Sequence, residues 1–576
     1  MSLSDNTTGL EQVLAQAQSL PDAGGVDLTA ESIQTALGYT PADEKVVSQL
    51  SEDKVGVTAQ TFTEEQKAQA RKNIDAAKSD YVTPQMFGAK GDGATDDTAA
   101  IQAAIDASDN VYIPAGTYMV NGTNAGLGHQ YKGGIRPKSN STITLAPDAV
   151  LKCMPNDNGF YNIIGLEAVE NVTISGGKII GEKDDHIGVD GEFGYGIGIF
   201  GCNRIRIENV EISMCWGDGI ILISRDEVTG ENNDIAIDKC VIHDCRRQGI
   251  SVVIGGKNNT ITNCHIYNIS GTMPASGIDL ESNDKNKPTT GLLIDGCTIH
   301  DTDGASIIFS CAQKCHVENC VLDNVQQYIN ATDNMVTDCT VRKEIHLREG
   351  HISVLNSNLG GVYITGNASG SFYNCNLKNQ GEQVNMGLTL VSSGLDSEGA
   401  ETCLNFYGCN FTVTTEVKGV FWLAKEVPVI NCIDCVFRGV KTLHLSKGIR
   451  SFDGCTFYAL HENADCLLEA NCDVGDDVRI TIQNCTLFHE NENPDMGWVF
   501  MVFGDGTPLI VFRNNHFMHY YQFMWANGVN GGTIIASDNI VEDSNVVINY
   551  GTICNVIYVT AGAKEYTIYD VNNVSI

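Results

Sequence analysis

Basic side chains are scarce in this sequence: 36 Lys and Arg stand against 71 Asp and Glu over 576 residues, a formal net charge of −35. Such a surface repels a phosphate backbone, which excludes a nucleic-acid partner and disfavours anionic membranes. Long apolar runs are lacking as well. None reaches the roughly 18 residues of a membrane-spanning helix, so no membrane insertion is expected. The first residues, Met1-Ser2-Leu3-Ser4-Asp5, lack a charged n-region and an apolar core, so no signal peptide is expected and the chain reads as made in the cytoplasm. Proline is sparse, at 12, but glycine is not, at 59; with 42% hydrophobic and 19% charged residues the composition is that of a turn-rich globular protein rather than a disordered one or a helical solenoid. The chain is too long for one ordinary compact core, which leaves several domains or a solenoid that grows by stacking.

What is present is a repeat. The pattern polar-Cys-x-apolar recurs at Lys239-Cys240-Val241-Ile242, Asn263-Cys264-His265-Ile266, Gly296-Cys297-Thr298-Ile299, Asn319-Cys320-Val321-Leu322 and Asp338-Cys339-Thr340-Val341. It returns around Cys375, Cys409, Cys435, Cys455 and Cys485, mostly at steps of about 19 to 34 residues, the length of one β-solenoid coil with variable loops. Read as the end of a short strand, each unit puts the cysteine and the apolar residue two positions on to the same side. Stacked units then form an interior column of free thiols, to which cysteine is suited as a small, readily buried side chain. The total of 21 is odd, which argues against a disulfide framework. One cysteine per coil makes a line rather than a tetrahedral cluster, so no metal and no other cofactor is expected.

Residues 1–80 differ from the rest, with helical stretches such as Thr63 to Ile74, where Thr63 and Gln66 suit a capping box, and with little apolar surface. Next, Phe87-Gly88-Ala89-Lys90-Gly91-Asp92-Gly93 leads into a short amphipathic helix near 97–106 with Ile101 and Ile105 on one face, and then into the strand and turn Val111 to Tyr118. A helix of that length can cover the open edge of a sheet. The Walker pattern is absent, so the glycine-rich turn is not read as a phosphate loop.

Ala36-Leu37-Gly38-Tyr39-Thr40-Pro41-Ala42 and Glu65 to Ala77 resemble recurring segments of phage tail-fibre proteins, and the Phe87–Tyr118 stretch resembles the opening of the pectate-lyase-like superfamily, which includes many phage tailspikes. The resemblance implies an all-β chain: a right-handed parallel β-helix over 81–545 with a capping helix, a C-terminal cap at 546–576, and an attachment and trimerisation region at 1–80. It also implies a homotrimer in a virion tail, held to the tail or baseplate through residues 1–80, whose partner is a bacterial surface polysaccharide.

A second column places the chemistry. Aligning Gly196, Gly219, Gly249, Gly277 and Gly304 puts Ile197, Ile220, Ile250, Ile278 and Ala305 inward, and Gly198, Ile221, Ser251, Asp279 and Ser306 outward. Asp279 and Glu281 then leave one strand on the same side, with Asp218, Arg246 and Arg247 at neighbouring turns. Paired carboxylates are what glycoside hydrolysis requires, so Asp218, Asp279 and Glu281 are the catalytic candidates. Arg246 and Arg247 are candidates to hold an anionic sugar. The polar loop 181–196 adds His186, Glu192 and Tyr195, and Trp216 completes the binding set. These segments also resemble uronan epimerases and lyases, but they lack the consecutive aspartates and Gly-His-Gly turn of polygalacturonases. Three readings follow: a depolymerase, with hydrolysis preferred to β-elimination; a receptor-binding fibre without catalysis; and a purely structural spike. Aromatic residues from Tyr363 onward, including Phe372 and Tyr373, are read mainly as core or interface.

Overall fold

The computed structural model describes residues 81–378, apart from 124–132, 225–229 and 283, and beyond 378 mainly strands and their corners as far as 575. The attachment and trimerisation region expected at 1–80 lies outside the described residues, as do Phe421, Trp422, Tyr520 and Tyr521.

Short strands wind into coils whose three sides stack into long parallel sheets, the third side as separate blocks of 10 and 5 strands among the described residues. One coil contains Asn233–Asp238, Val241–His243 and Ile250–Val253. Their partners in the next coil are Thr260–Thr262, His265–Ile269 and Ile278–Glu281, each pairing in parallel. Alternation along each strand sends one set of side chains inward, where Ile237, Ile242, Ile250 and Val252 are all fully buried. The core is thus one continuous column of stacked aliphatic side chains, with Phe372, Phe406, Phe411 and Phe437 extending it as aromatic stacks in the later coils.

The cysteine repeat marks a corner rather than the end of a strand. Lys239, Asn263, Asn319, Asp338, Asn374, Asp434 and Asn484 have φ of 53–55°, and Gly296, Gly408 and Gly454 have φ of 61–66°. The polar position before each cysteine is therefore the left-handed residue that turns the chain from one sheet into the next, a conformation Asn, Asp and Gly reach at least cost. The cysteine follows inside the corner, and all ten of the column are buried. Backbone N–H groups at the corner are satisfied by the neighbouring coil: Cys297 N–H donates to Cys320 Sγ at 3.3 Å and Cys320 N–H to Cys339 Sγ at 3.4 Å. Asparagine continues the column. Cys485 N–H donates to Asn515 Oδ1, Asn515 N–H to Asn539 Oδ1 and Asn539 N–H to Asn573 Oδ1, each at 2.9 Å. The pairing runs beyond residue 545, since Tyr566–Val571 pairs in register with Gly532–Ser537; the segment 546–576, expected as a cap, carries strands of a further coil.

The expected helix spans Thr98–Ala107, with Ile101, Ala104 and Ile105 buried and the helix packed against the strands Asn110–Ile113 and Gly116–Val120. Asp97 secures its start by accepting from Lys90 N–H at 2.6 Å and Gly91 N–H at 2.9 Å.

Candidate functional site

The third sheet carries the candidate residues. Ile197, Ile220, Ile250 and Ile278 pair in sequence, as the glycine alignment requires, so Gly198, Ile221, Ser251 and Asp279 share the outward column. The fifth coil departs from that alignment. Ile278 pairs with Ile307, not Ala305, and Asp279 with Ile308, not Ser306. Gly304 and Ala305 belong to the turn, and Ser306 is buried with its hydroxyl accepting Asp323 N–H at 2.9 Å, so the strand begins two residues later than its glycine suggests.

Arg247 is the centre of one group. Its Nη1 lies 3.0 Å from Asp218 Oδ2, its Nη2 3.6 Å from Glu281 Oε1 and its Nε 3.8 Å from Glu192 Oε2. Ser251 Oγ–H donates to Asp218 Oδ2 at 2.8 Å. Asp218 is wholly buried, and burial pushes its carboxyl up to about 6 against the opposing pull of Arg247 and Ser251. Burial opposes the charge on Arg247, but Asp218 and Glu281 outweigh it and hold the guanidinium firmly protonated.

Asp279 joins through Gln248. Gln248 Nε2 donates to Asp279 Oδ2 at 2.7 Å, while Gln248 Oε1 accepts Ser276 N–H at 3.3 Å and the Ser276 hydroxyl. A backbone N–H can only donate, so this amide has one possible orientation. Asp279 is 2% exposed, and its Oδ1 has no hydrogen-bond partner among the described residues. Burial, reinforced by Glu281, pushes its carboxyl up to about 7.

His186, Trp216 and Arg246 form a second group. The His186 ring stacks on Trp216 at 3.8 Å and 9°, and Arg246 Cζ lies 3.7 Å from the same ring centroid. Two groups this close cannot share a face, so the indole is sandwiched between imidazole and guanidinium. His186 Nδ1 sits 3.1 Å from both oxygens of buried Glu182, which also accepts from the Tyr161 hydroxyl. Burial raises the Glu182 carboxyl above the ordinary carboxylate range. Arg246 Nη1 donates to Gly191 O at 2.9 Å, which ties the loop down. Tyr195, 1% exposed, packs with Phe200, Ile221 and Ile223 in a small apolar cluster on the outer side of the sheet. Trp216 and Tyr195 are therefore enclosed rather than presented as open rings.

Downstream of Asp279 opens a cleft of about 470 Å³. Asp279, Glu281, Asp303, Lys343 and Glu344 are its charged lining; Asn324, Gln326 and Tyr328 are polar, and Met273 and Ile329 apolar. Of the candidates read from the sequence, only Asp279 and Glu281 line this space. Asn324, Gln326, Tyr328 and Glu344 escaped that reading because no glycine precedes their strands. The signal that remained was the cysteine repeat, but the third-sheet strand starts 14 residues after Cys264 and only 5 after Cys320, so the offset varies.

A family model described as right handed beta helix region matches residues 131–290, which include the strands carrying Asp279 and Glu281. The uncharacterized protein YclG of Bacillus subtilis is 35% identical over 215 residues, 34% of this chain and 37% of that protein. Mannuronan C5-epimerase AlgE5 of Azotobacter vinelandii is 32% identical over 268 residues, 40% of this chain and 26% of the epimerase. The pre-neck appendage protein of Bacillus phage phi29 is 29% identical over 244 residues, 41% of this chain and 23% of the appendage protein. The chain spans well under half the length of these relatives. With long parallel sheets wound coil upon coil and this match in their midst, the fold of the chain is a right-handed parallel β-helix.

Proposed function

We propose that this chain is a phage tailspike that binds a bacterial surface polysaccharide in the cleft beside Asp279 and hydrolyses its glycosidic bonds. The observation that carries this reading is a pair of carboxyls two residues apart on one strand in the wall of a cleft, Asp279 and Glu281, of which Asp279 is buried and thereby pushed up to about 7. Gln248 contributes to the assignment of roles. Because its Nε2 requires an acceptor at Asp279 Oδ2, the proton of neutral Asp279 belongs on Oδ1, the oxygen without a partner. Asp279 is then the general acid that protonates the leaving oxygen, and Glu281, held in place by Arg247, is the base that activates water. Residues two apart on a strand are separated by about 7 Å, which suits the inverting arrangement better than the shorter retaining one. Asp218, buried under Arg247, acts as a positioning residue. The virion setting is supported by the phage appendage protein among the relatives and by the tail-fibre resemblance of residues 1–80. A homotrimer is part of the same reading, and light scattering that returned a monomer for the full chain would remove it.

The epimerase relative favours a second reading, in which a base in the same cleft removes the proton beside a uronate carboxylate. Incubation with host polysaccharide separates the outcomes. Shortened chains with new reducing ends and flat absorbance near 235 nm support hydrolysis, whereas rising absorbance means elimination. Exchange of the sugar C5 hydrogen for deuterium without shortening means epimerisation, and binding without any of these means a receptor-binding fibre.

A further inference from the structure

The charges around the cleft bear on which class of glycan it accepts. The arginines expected to clamp an anionic sugar are already engaged: Arg247 by Asp218, Glu281 and Glu192, and Arg246 by the Trp216 ring and Gly191 O. Of the charged lining, Asp279, Glu281, Asp303 and Glu344 are acidic and only Lys343 is basic, and Lys343 Nζ itself lies 3.4 Å from Asp323 Oδ2. A further guanidinium, that of Arg348, lies over the ring of Tyr328 with Cζ 5.7 Å from its centroid. Even with Asp279 protonated and Glu281 set against Arg247, the lining keeps Asp303 and Glu344 against Lys343, in a chain of net charge −35. A uronate entering this space would meet like charge at short range, and Lys343, the one basic residue in the lining, already faces Asp323.

The rest of the lining suits a different occupant. Asn324, Gln326, Ser310 and Thr302 offer uncharged hydrogen-bonding groups, and buried carboxylates accept strongly from hydroxyl donors. Met273, 68% exposed, and Ile329, 50% exposed, bring apolar surface to the cleft, the kind that lies against the C–H face of a pyranose ring.

We infer that the cleft accepts an uncharged, hydroxyl-rich stretch of glycan, built of neutral hexoses or N-acetylhexosamines, and rejects polyuronates. This inference rests on the reading of the cleft as a glycan site. It also disfavours the elimination and epimerisation chemistries, both of which need a uronate.

The test is binding of the full chain, in the cold to slow turnover, to an array of bacterial surface glycans supplemented with polymannuronate and polygalacturonate. Each glycan bound is then titrated at about 50 mM and about 500 mM salt, where the screening length falls several-fold. The expected result is that the bound glycans carry neutral repeats and that Kd changes by less than about twofold between the two salts. Binding of either polyuronate, or of a glycan whose bound repeat carries a carboxylate, overturns the inference and leaves the glycan reading intact. Binding of no glycan at all overturns both.

Discussion

Gln248 Nε2 donates a 2.7 Å hydrogen bond to Asp279 Oδ2 across adjacent coils, and the Ser276 backbone N–H fixes which end of the amide makes that bond. Gln248→Leu should therefore have two effects of different kind. Loss of a donor to the charged form raises the Asp279 carboxyl further, so the alkaline limb of the pH–rate profile should move to higher pH. The proton is also no longer directed to Oδ1, so kcat should fall by about tenfold or more, within the range ascribed to acid–base positioning. A profile superimposable on that of the parent protein would remove Gln248 from the mechanism.

Asp279→Asn removes the proposed acid, and kcat should fall by about 10²–10⁴-fold. Its effect on stability has a definite sign. The folded carboxyl at about 7 lies above the ordinary aspartate value of 3.8, so the folded state holds the proton more tightly and stability is lost as pH rises through that window. The slope is at most about 1.4 kcal/mol per pH unit. The asparagine variant should thus gain midpoint stability over the parent at pH 8, with the advantage shrinking toward pH 4, as denaturant titrations at both pH values would reveal. An advantage that grew on acidification would contradict the burial of Asp279.

Arg247→Met leaves Asp218 and Glu281 without their common cation. Breaking a buried ion pair by removing one partner costs about 3–5 kcal/mol, and Asp218, already raised to about 6 by burial, should move higher. Asp218→Asn in the same chain should recover part of the loss, because the orphaned charge is removed with its partner. If the single variant unfolds at the parental denaturant midpoint, the pair contributes nothing to the fold.

Eighteen of the 19 described cysteines are buried and all 19 are free. Burial pushes the Cys202 and Cys315 thiols up to about 11, which removes the thiolate that reacts with alkylating and disulfide reagents. Thiol titration of the native protein should therefore find almost no reactive groups, with half-buried Cys403 the first to respond, and denaturant should release close to the full 21. A low count in denaturant would mean disulfides and would sink the thiol column.

The parallel β-helix was legible in the sequence because it is a local rule repeated. Each coil states its own corner in a residue tolerant of positive φ, such as Asn263 or Gly296, and its own inward position in the cysteine that follows, so no long-range information is needed to recognise the solenoid. Even there the repeat alone does not distinguish a strand end from a corner, since cysteine and the apolar residue two positions on point inward under either description. The column Gly198, Ile221, Ser251 and Asp279 was likewise determined, because glycines keep step with four successive strands. What only the tertiary structure decided depends on loop length and on burial. The turn at Gly304 shifts the next strand by two residues, which puts Ile308 rather than Ser306 beside Asp279 and brings Gln326, Tyr328 and Glu344 to the cleft. Charge alone could not say whether Arg247 would receive a ligand or bind its own carboxylates, nor whether repulsion or an arginine would set the state of Asp279. Packing that sets Arg247 among Asp218, Glu281 and Glu192 decides the first and desolvation of Asp279 the second, and both depend on the side chains gathered around a group, which have no counterpart in the linear sequence.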